Sequence, residues 1–219
     1  MKQVSKIAIV ALLLFAGCST SRITSSWKAE NIQSKEYKKV LVLGLMNESD
    51  RSLREKMEEH LVGDLKDLGY NAVCSCDEFN PKAFENMSEK QALDKLNNSG
   101  IDAVLTIVLL NKSKEGYYVP GRIQNSPIHT YRGRFWGYYS DVCGRIYSPG
   151  YYTSDTKYFW ESNFYELSNG PGLLYSAQSQ SFDPGSAQNL GHEYGQMIVK
   201  DMIAKNLLKK REEQSLKSF

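Results

Sequence analysis

The chain predicts an α/β fold: a βαβαβ half, then an antiparallel hairpin and a C-terminal helix, with helices packed on a mixed sheet. Three observations carry that expectation. Tyr37 to Leu45 and Ile101 to Leu110 are nearly continuous apolar runs, as in strands buried on both faces. Between them lie two stretches with the apolar spacing of helices. Later, two alternating stretches flank Asn169-Gly170-Pro171-Gly172, whose residues favour a turn.

Taken from the start, Lys2 and Lys6 form a positive segment ahead of the apolar run Ile7 to Phe15. That run is short of the roughly 20 residues needed to span a bilayer and fits the core of an export signal. Ala16, Gly17 and Cys18 follow, and the order apolar, small, small, Cys resembles the lipobox of bacterial lipoproteins. The resemblance implies removal of residues 1–17, diacylation of the Cys18 thiol and acylation of the new amino terminus. Each buried CH₂ contributes about 0.8 kcal/mol, and two or more acyl chains hold where one does not. Ser19, rather than Asp, follows the cysteine, which implies sorting to the outer membrane. Residues 18–36 are polar and short of apolar residues, with Trp27 standing out, and read as a tether.

Tyr37 to Leu45 is the first expected strand. Ser49 or Asp50 is placed to cap the next helix, whose inner face is Leu53, Met57, Leu61, Leu65 and Leu68, with Gly69 as the stop. Tyr70 to Ser75 is a second strand, so a parallel βαβ crossover follows. Ser88 and Gln91 have capping-box spacing, and the helix they open carries Leu93 and Leu96 and ends near Gly100. Ile101 to Leu110 completes the βαβαβ half.

Residues 111–156 break the pattern. Ten of the chain's 14 tyrosines lie between Tyr117 and Tyr165, and the stretch far exceeds an ordinary connection. It reads as an insertion, an extended hairpin or lid. Lys157 to Leu167 and Leu173 to Phe182 then form the hairpin. Ser186 caps a last helix with Leu190, Tyr194, Met197, Ile198 and Met202 inward. Residues 37–208 are expected to make a single domain, and 209–219 a frayed tail.

Composition narrows function. Without Lys2 and Lys6 the 27 basic residues fall to 25, equal to the 25 acidic ones. A neutral domain without a basic stripe argues against nucleic acid. Cys74, Cys76 and Cys143 remain after Cys18. A bridge between Cys74 and Cys76 reads as strained, a bridge from either to Cys143 is open, and three unpaired buried cysteines are the plain alternative. No metal or cofactor is expected, since His60, His129 and His192 are scattered and the cysteine spacing does not suit zinc.

Enzyme signatures are missing. There is no nucleophile elbow and no phosphate loop. His192-Glu193 begins a zincin-like string, but Gln196 stands where the second His is required. The turn Gly44 to Arg51, with Arg51 and Arg54 beside a helix amino terminus, offers a place for an anion; an ordinary loop with solvated arginines explains it more simply. A thiol hydrolase using Cys143 rests only on nearby His129. The insertion has contact-surface composition: Arg132, Arg134, Trp136, Tyr138 and Tyr139 are of the types enriched where proteins bind partners. Such rings also stack on sugars. The plain alternative is that the tyrosines build strands and pack on the sheet.

Lys38 to Leu45, the helix bearing Arg51 and Arg54, Gly100 to Val104, and the late hairpin Glu161 to Phe182 together resemble the α/β domains of the penicillin-binding-protein activators and curli-export lipoproteins. The hairpin is also similar to that of envelope lipoproteins of uncharacterised families. These resemblances imply a non-enzymatic outer-membrane lipoprotein with its domain in the periplasm or at the cell surface. Its expected partners are the membrane, through the lipid, and an envelope protein, peptidoglycan or other glycan. Self-assembly into a homo-oligomeric envelope complex is the alternative.

Overall fold

The computed structural model describes residues 20–32, 34–79, 83–115, 135, 137–138, 155–167, 172–182 and 184–210. They form an α/β domain, a six-stranded mixed sheet with helices packed on it, as the sequence predicts. The strands are β1 (Ser21–Lys28), β2 (Val40–Leu45), β3 (Ala72–Cys74), β4 (Ala103–Glu115), β5 (Asp155–Glu166) and β6 (Gly172–Phe182). The helices are α1 (Arg51–Asp67), α2 (Ser75–Glu78), α3 (Glu89–Asn98) and α4 (Ala187–Ala204). Sheet order is β1-β6-β5-β4-β2-β3.

The apolar run of β2 is buried at every position because β2 lies inside the sheet, parallel to both β3 and β4. Asp102 ties this half together: its carboxylate accepts from the backbone N–H groups of Lys38 (2.9 Å) and Lys39 (3.1 Å). From β4 onward the sheet is antiparallel, and β5 and β6 form the expected hairpin.

One departure concerns residues 18–36. The supposed tether contains β1, an edge strand antiparallel to β6. Its pattern hides it: no apolar stripe is present, and a serine, Ser21, is buried against Ser181 with the two hydroxyls 2.7 Å apart.

The two faces of the sheet bury separate cores. On the first face α1 and α4 cover Val42, Leu105, Ile107, Trp160, Phe164 and Tyr175. On the second, α3 lies over Leu41, Leu43, Val104, Val108 and Tyr165. The five leucine and methionine positions read as the inner stripe of α1 all enter the first core, Leu68 only partly buried. The capping box forms as expected: Ser88 Oγ accepts from Gln91 N–H, and Gln91 Oε1 accepts from Ser88 N–H. Ser186 likewise caps α4. Asp50 occupies the cap position of α1 without making the capping bond; its carboxylate instead receives Lys112 Nζ at 2.7 Å.

Helices α1 and α4 approach closely because Gly191 and Gly195 lack side chains. A Cβ at Gly191 would stand 2.9 Å from the Lys56 carbonyl oxygen, and one at Gly195 would collide with the Asp64 carboxylate. This seam traps polar groups. Buried Asp64 Oδ2 and His60 Nε2 have no hydrogen-bond partner. Burial raises the Asp64 pKa, with His192, His60 and Lys200 opposing and Asp67 reinforcing. A carboxyl whose folded-state pKa is raised destabilises the fold above that pKa, and the penalty disappears as pH falls through it toward the ordinary value. Asp64→Asn is therefore expected to melt higher than the parent at neutral pH. The gap should close on acidification in paired thermal scans; a constant gap would assign the gain to something other than ionisation.

Candidate functional site

Strand registers bring the functional landmarks of the sequence to one end of the sheet. Ser21 pairs with Ser181, and Ser181 with Tyr158. Tyr158 pairs with Lys112, and Glu115 with Asp155. The start of β1, the end of β4 and the start of β5 therefore share an end, and so do the first turns of α1 and α4. Thr20 is pinned there, its N–H and hydroxyl both donating to Glu193 Oε2 at 2.8 and 2.7 Å. Cys18 lies outside the described residues; it is three positions before Ser21 in the sequence, which limits their separation to roughly 10 Å. The insertion leaves the sheet at Glu115 and re-enters at Asp155, at that same end.

Of the five expected contact residues, Arg132, Arg134, Trp136 and Tyr139 lie outside the described residues, as do Cys143 and His129. Tyr138 is described, and it is 3% exposed. Its ring sits 6.3 Å from that of Tyr165, beside Phe135, which meets Tyr165 edge-on at 5.6 Å. Both residues belong to the second core. In this fold Tyr138 packs on the sheet rather than facing a partner, which corrects its reading as a contact residue. Tyr165 pairs with Val104, roughly 35 Å along β4 from Glu115 at the usual rise per residue. The insertion thus adds core residues at the end of the sheet opposite its roots.

The second face also holds polar residues that sequence inspection passed over. Glu161 is fully buried. It accepts from Asn163 Nδ2 at 3.1 Å and Gln178 Nε2 at 3.2 Å. Thr106 Oγ1 bonds the Asn163 backbone on the neighbouring strand. Asn163 Oδ1 is buried with no hydrogen-bond partner. Strand alternation puts Glu161, Asn163 and Tyr165 on one face. Charged and amide residues in a strand ordinarily face solvent, so only the pairing with β4 and β6 reveals that these are enclosed.

At the turn considered for an anion, Arg51 Nε bonds Glu55 at 2.9 Å on its own helix. Arg54 Nε is buried without a hydrogen-bond partner, 4.0 Å from Glu58. An open cleft of about 400 Å³ does lie beside the turn, lined by Ser49, Ser52, Lys112, Tyr158 and Ser186 among others. The zincin-like string is a surface turn of α4: His192 Nε2 is 3.1 Å from Gln196 Nε2, and Glu193 serves Thr20.

Of the cysteine pairings left open by the sequence, the one that reads as strained is the one formed. Cys74 and Cys76 are bonded to each other. On an extended strand two such residues stand too far apart, but the backbone turns from β3 into α2 at Ser75 and draws their Cα atoms to 5.2 Å, within the usual range. Glu58 of α1 stands over this bend, fully buried. It accepts from Gly44 N–H (2.8 Å), Ser75 Oγ (2.8 Å) and Cys76 N–H (3.2 Å). Glu58, Cys74 and Cys76 are the one group of metal-type donors within 4.8 Å of each other among the described residues. With the sulfurs bridged, neither is a thiolate, so the set does not fit a metal ion in this form.

Among the described residues no helix is long and apolar enough to cross a membrane. No family model matches the chain, and no curated protein matches it. Among solved structures, the chain is similar to a variant of the PelC dodecamer from Paraburkholderia phytofirmans, at 13% identity over 87% of this chain and 98% of that one, with a TM-score of 0.41. A second PelC dodecamer structure from the same organism matches at 12% identity over 88% and 98% of the two chains, also with a TM-score of 0.41.

Proposed function

We propose that the chain is a non-enzymatic lipoprotein of the outer membrane, anchored through Cys18, whose α/β domain is a binding or scaffolding module for an envelope protein or glycan. In this reading it belongs with the penicillin-binding-protein activators and curli-export lipoproteins that its strand and hairpin motifs resemble. The supporting observation is the shared end of the sheet: the start of β1 and both roots of the insertion lie together. A chain tethered by Cys18 holds that end against the membrane, so the insertion starts where envelope partners are met. Arg132, Arg134, Trp136 and Tyr139 are the contact residues. Phe135 and Tyr138, interleaved with them, hold the insertion to the sheet.

The test separates the two sets. Replacing Arg132, Arg134, Trp136 and Tyr139 together by Ser is expected to shift the melting midpoint by no more than surface changes do, about 0.5 kcal/mol each at most. The same variant should lose the partner that crosslinks to the parent in whole envelopes, or the sacculi that co-sediment with it. Undiminished capture rejects the assignment. Crosslinks only between copies of the chain would replace an external partner by self-assembly.

A further inference from the structure

The bend between β3 and α2 carries chemistry that a binding role leaves unused. The disulfide joins an inner sulfur to an outer one: Cys74 is 3% exposed, whereas Cys76 is only partly buried. The inner sulfur lies 2.8 Å from Glu58 Oε2. We infer that Cys74 and Cys76 form a thiol–disulfide exchange centre for dithiols of other proteins, with Glu58 as the proton donor to Cys74.

Three features support this. A ring closed across the single residue Ser75 removes far less chain entropy than a long loop, so the bond is a poor structural staple. A fully buried carboxyl is costly to keep, and this one touches the sulfur that must take up a proton when the bond opens. Burial also raises the Glu58 pKa against the opposing Gly44, Ser75 and Cys76 donors, so the group retains its proton where an exposed carboxyl has lost it. Its charged neighbour is Arg54, one turn earlier on α1, with Nε 4.0 Å away. From α2 it faces Cys76, beyond which Asp77 Oδ1 lies 3.9 Å from the Cys76 sulfur. From β2 it faces only the Gly44 backbone.

The reaction balances as follows. A thiolate of the partner attacks Cys76 Sγ and forms a mixed disulfide. The Cys74–Cys76 bond breaks, and Cys74 leaves with the electron pair and takes the proton of the Glu58 carboxyl. The partner's second thiolate then attacks the partner sulfur of the mixed disulfide. The partner's own disulfide closes, and Cys76 departs as a thiolate that is protonated from water. Water reprotonates Glu58. Two electrons pass from the partner dithiol to the pair.

The experiment uses the purified full chain, dithiothreitol as the dithiol, and alkylation followed by mass spectrometry to count free thiols. Rates are taken from about pH 5 to about pH 9 and divided by the fraction of attacking thiolate. The native parent should be reduced without unfolding, and its normalised rate should fall as Glu58 ionises. Glu58→Gln should be slower by at least about tenfold at the acid end, where general-acid assistance operates, with a flat normalised profile. Coincident profiles, a pair that resists reduction until the chain unfolds, or thiols that glutathione disulfide cannot oxidise would each overturn the proposal. Should Glu58→Gln fail to fold, single-cysteine variants decide. Cys76 alone, in Cys74→Ser, should attack glutathione disulfide, forming a mixed disulfide and releasing one glutathione thiolate, at least about tenfold faster than Cys74 alone in Cys76→Ser, following access. Equal rates would overturn the inner and outer assignment on which the mechanism depends.

Discussion

Phe135→Ala is expected to destabilise the whole domain by about 3–5 kcal/mol, the usual cost of truncating a buried Phe. Phe135 comes from the Tyr-rich insertion, yet it is fully buried and meets Tyr165 edge-on. Around it lie residues of the sheet and of α3, so its removal leaves a void within the second core. A urea titration measures the effect as a lower midpoint with an unchanged slope. A loss below about 0.5 kcal/mol, the range of surface changes, would mean that the insertion rests on the sheet without being part of it. Trp136, the next residue, is assigned to partner contact and should show the opposite profile: little change in stability and a large change in capture.

Trp160→Ala should cost about as much, about 3–5 kcal/mol, and its effects should extend to the edge of the sheet. Trp160 is fully buried on the first face. It stacks on Tyr158 at 5.5 Å and tilts against Tyr194 at the same separation. Its Nε1–H also donates to Ser181 Oγ at 3.2 Å, the hydroxyl that meets Ser21 of β1. Hydrogen exchange should therefore show faster opening of the β1 amides in the variant than the global loss accounts for. Trp160→Phe keeps most of the apolar area and removes the donor. If it protects β1 as well as Trp does, the hydrogen bond is not what links core to edge.

How far the fold could be read depended on where burial followed periodicity. Leu53, Met57, Leu61 and Leu65 recur at helical spacing and all enter the core. Ser88 with Gln91 announced a cap that forms. The apolar run of β4 marks an interior strand, though its polar end, Asn111 to Glu115, continues along β5 and by its sequence reads as part of the insertion. Strand β1 escaped notice because an edge strand with serines, a threonine and one exposed Trp has no inner stripe to detect. Glu58, His60 and Asp64 escaped for a related reason. Polar residues on a helix ordinarily face water, and only the bend after β3 buries Glu58 and the close approach of α4 partly covers His60 and Asp64. The five proposed contact residues rest on composition, which does not distinguish a ring that packs inward from one that faces out; Tyr138 packs inward.

The order of the sheet also determines when each part of the chain can fold. The segment from β2 to β4 holds its strands and crossovers within one short stretch, and its loops close at low entropic cost. Strand β1 is different: Ser21 finds Ser181, 160 residues away. A chain emerging from its amino terminus completes β2, β3 and β4 while β1 still lacks its neighbour β6. The strand nearest Cys18 is thus among the last to be covered. Until then it is an unpaired edge, and under the proposed anchoring at Cys18 copies crowded on one membrane would meet each other with that edge open. Pairing between nascent neighbours competes with closure during that interval, and the speed with which the β5–β6 hairpin arrives decides which one wins.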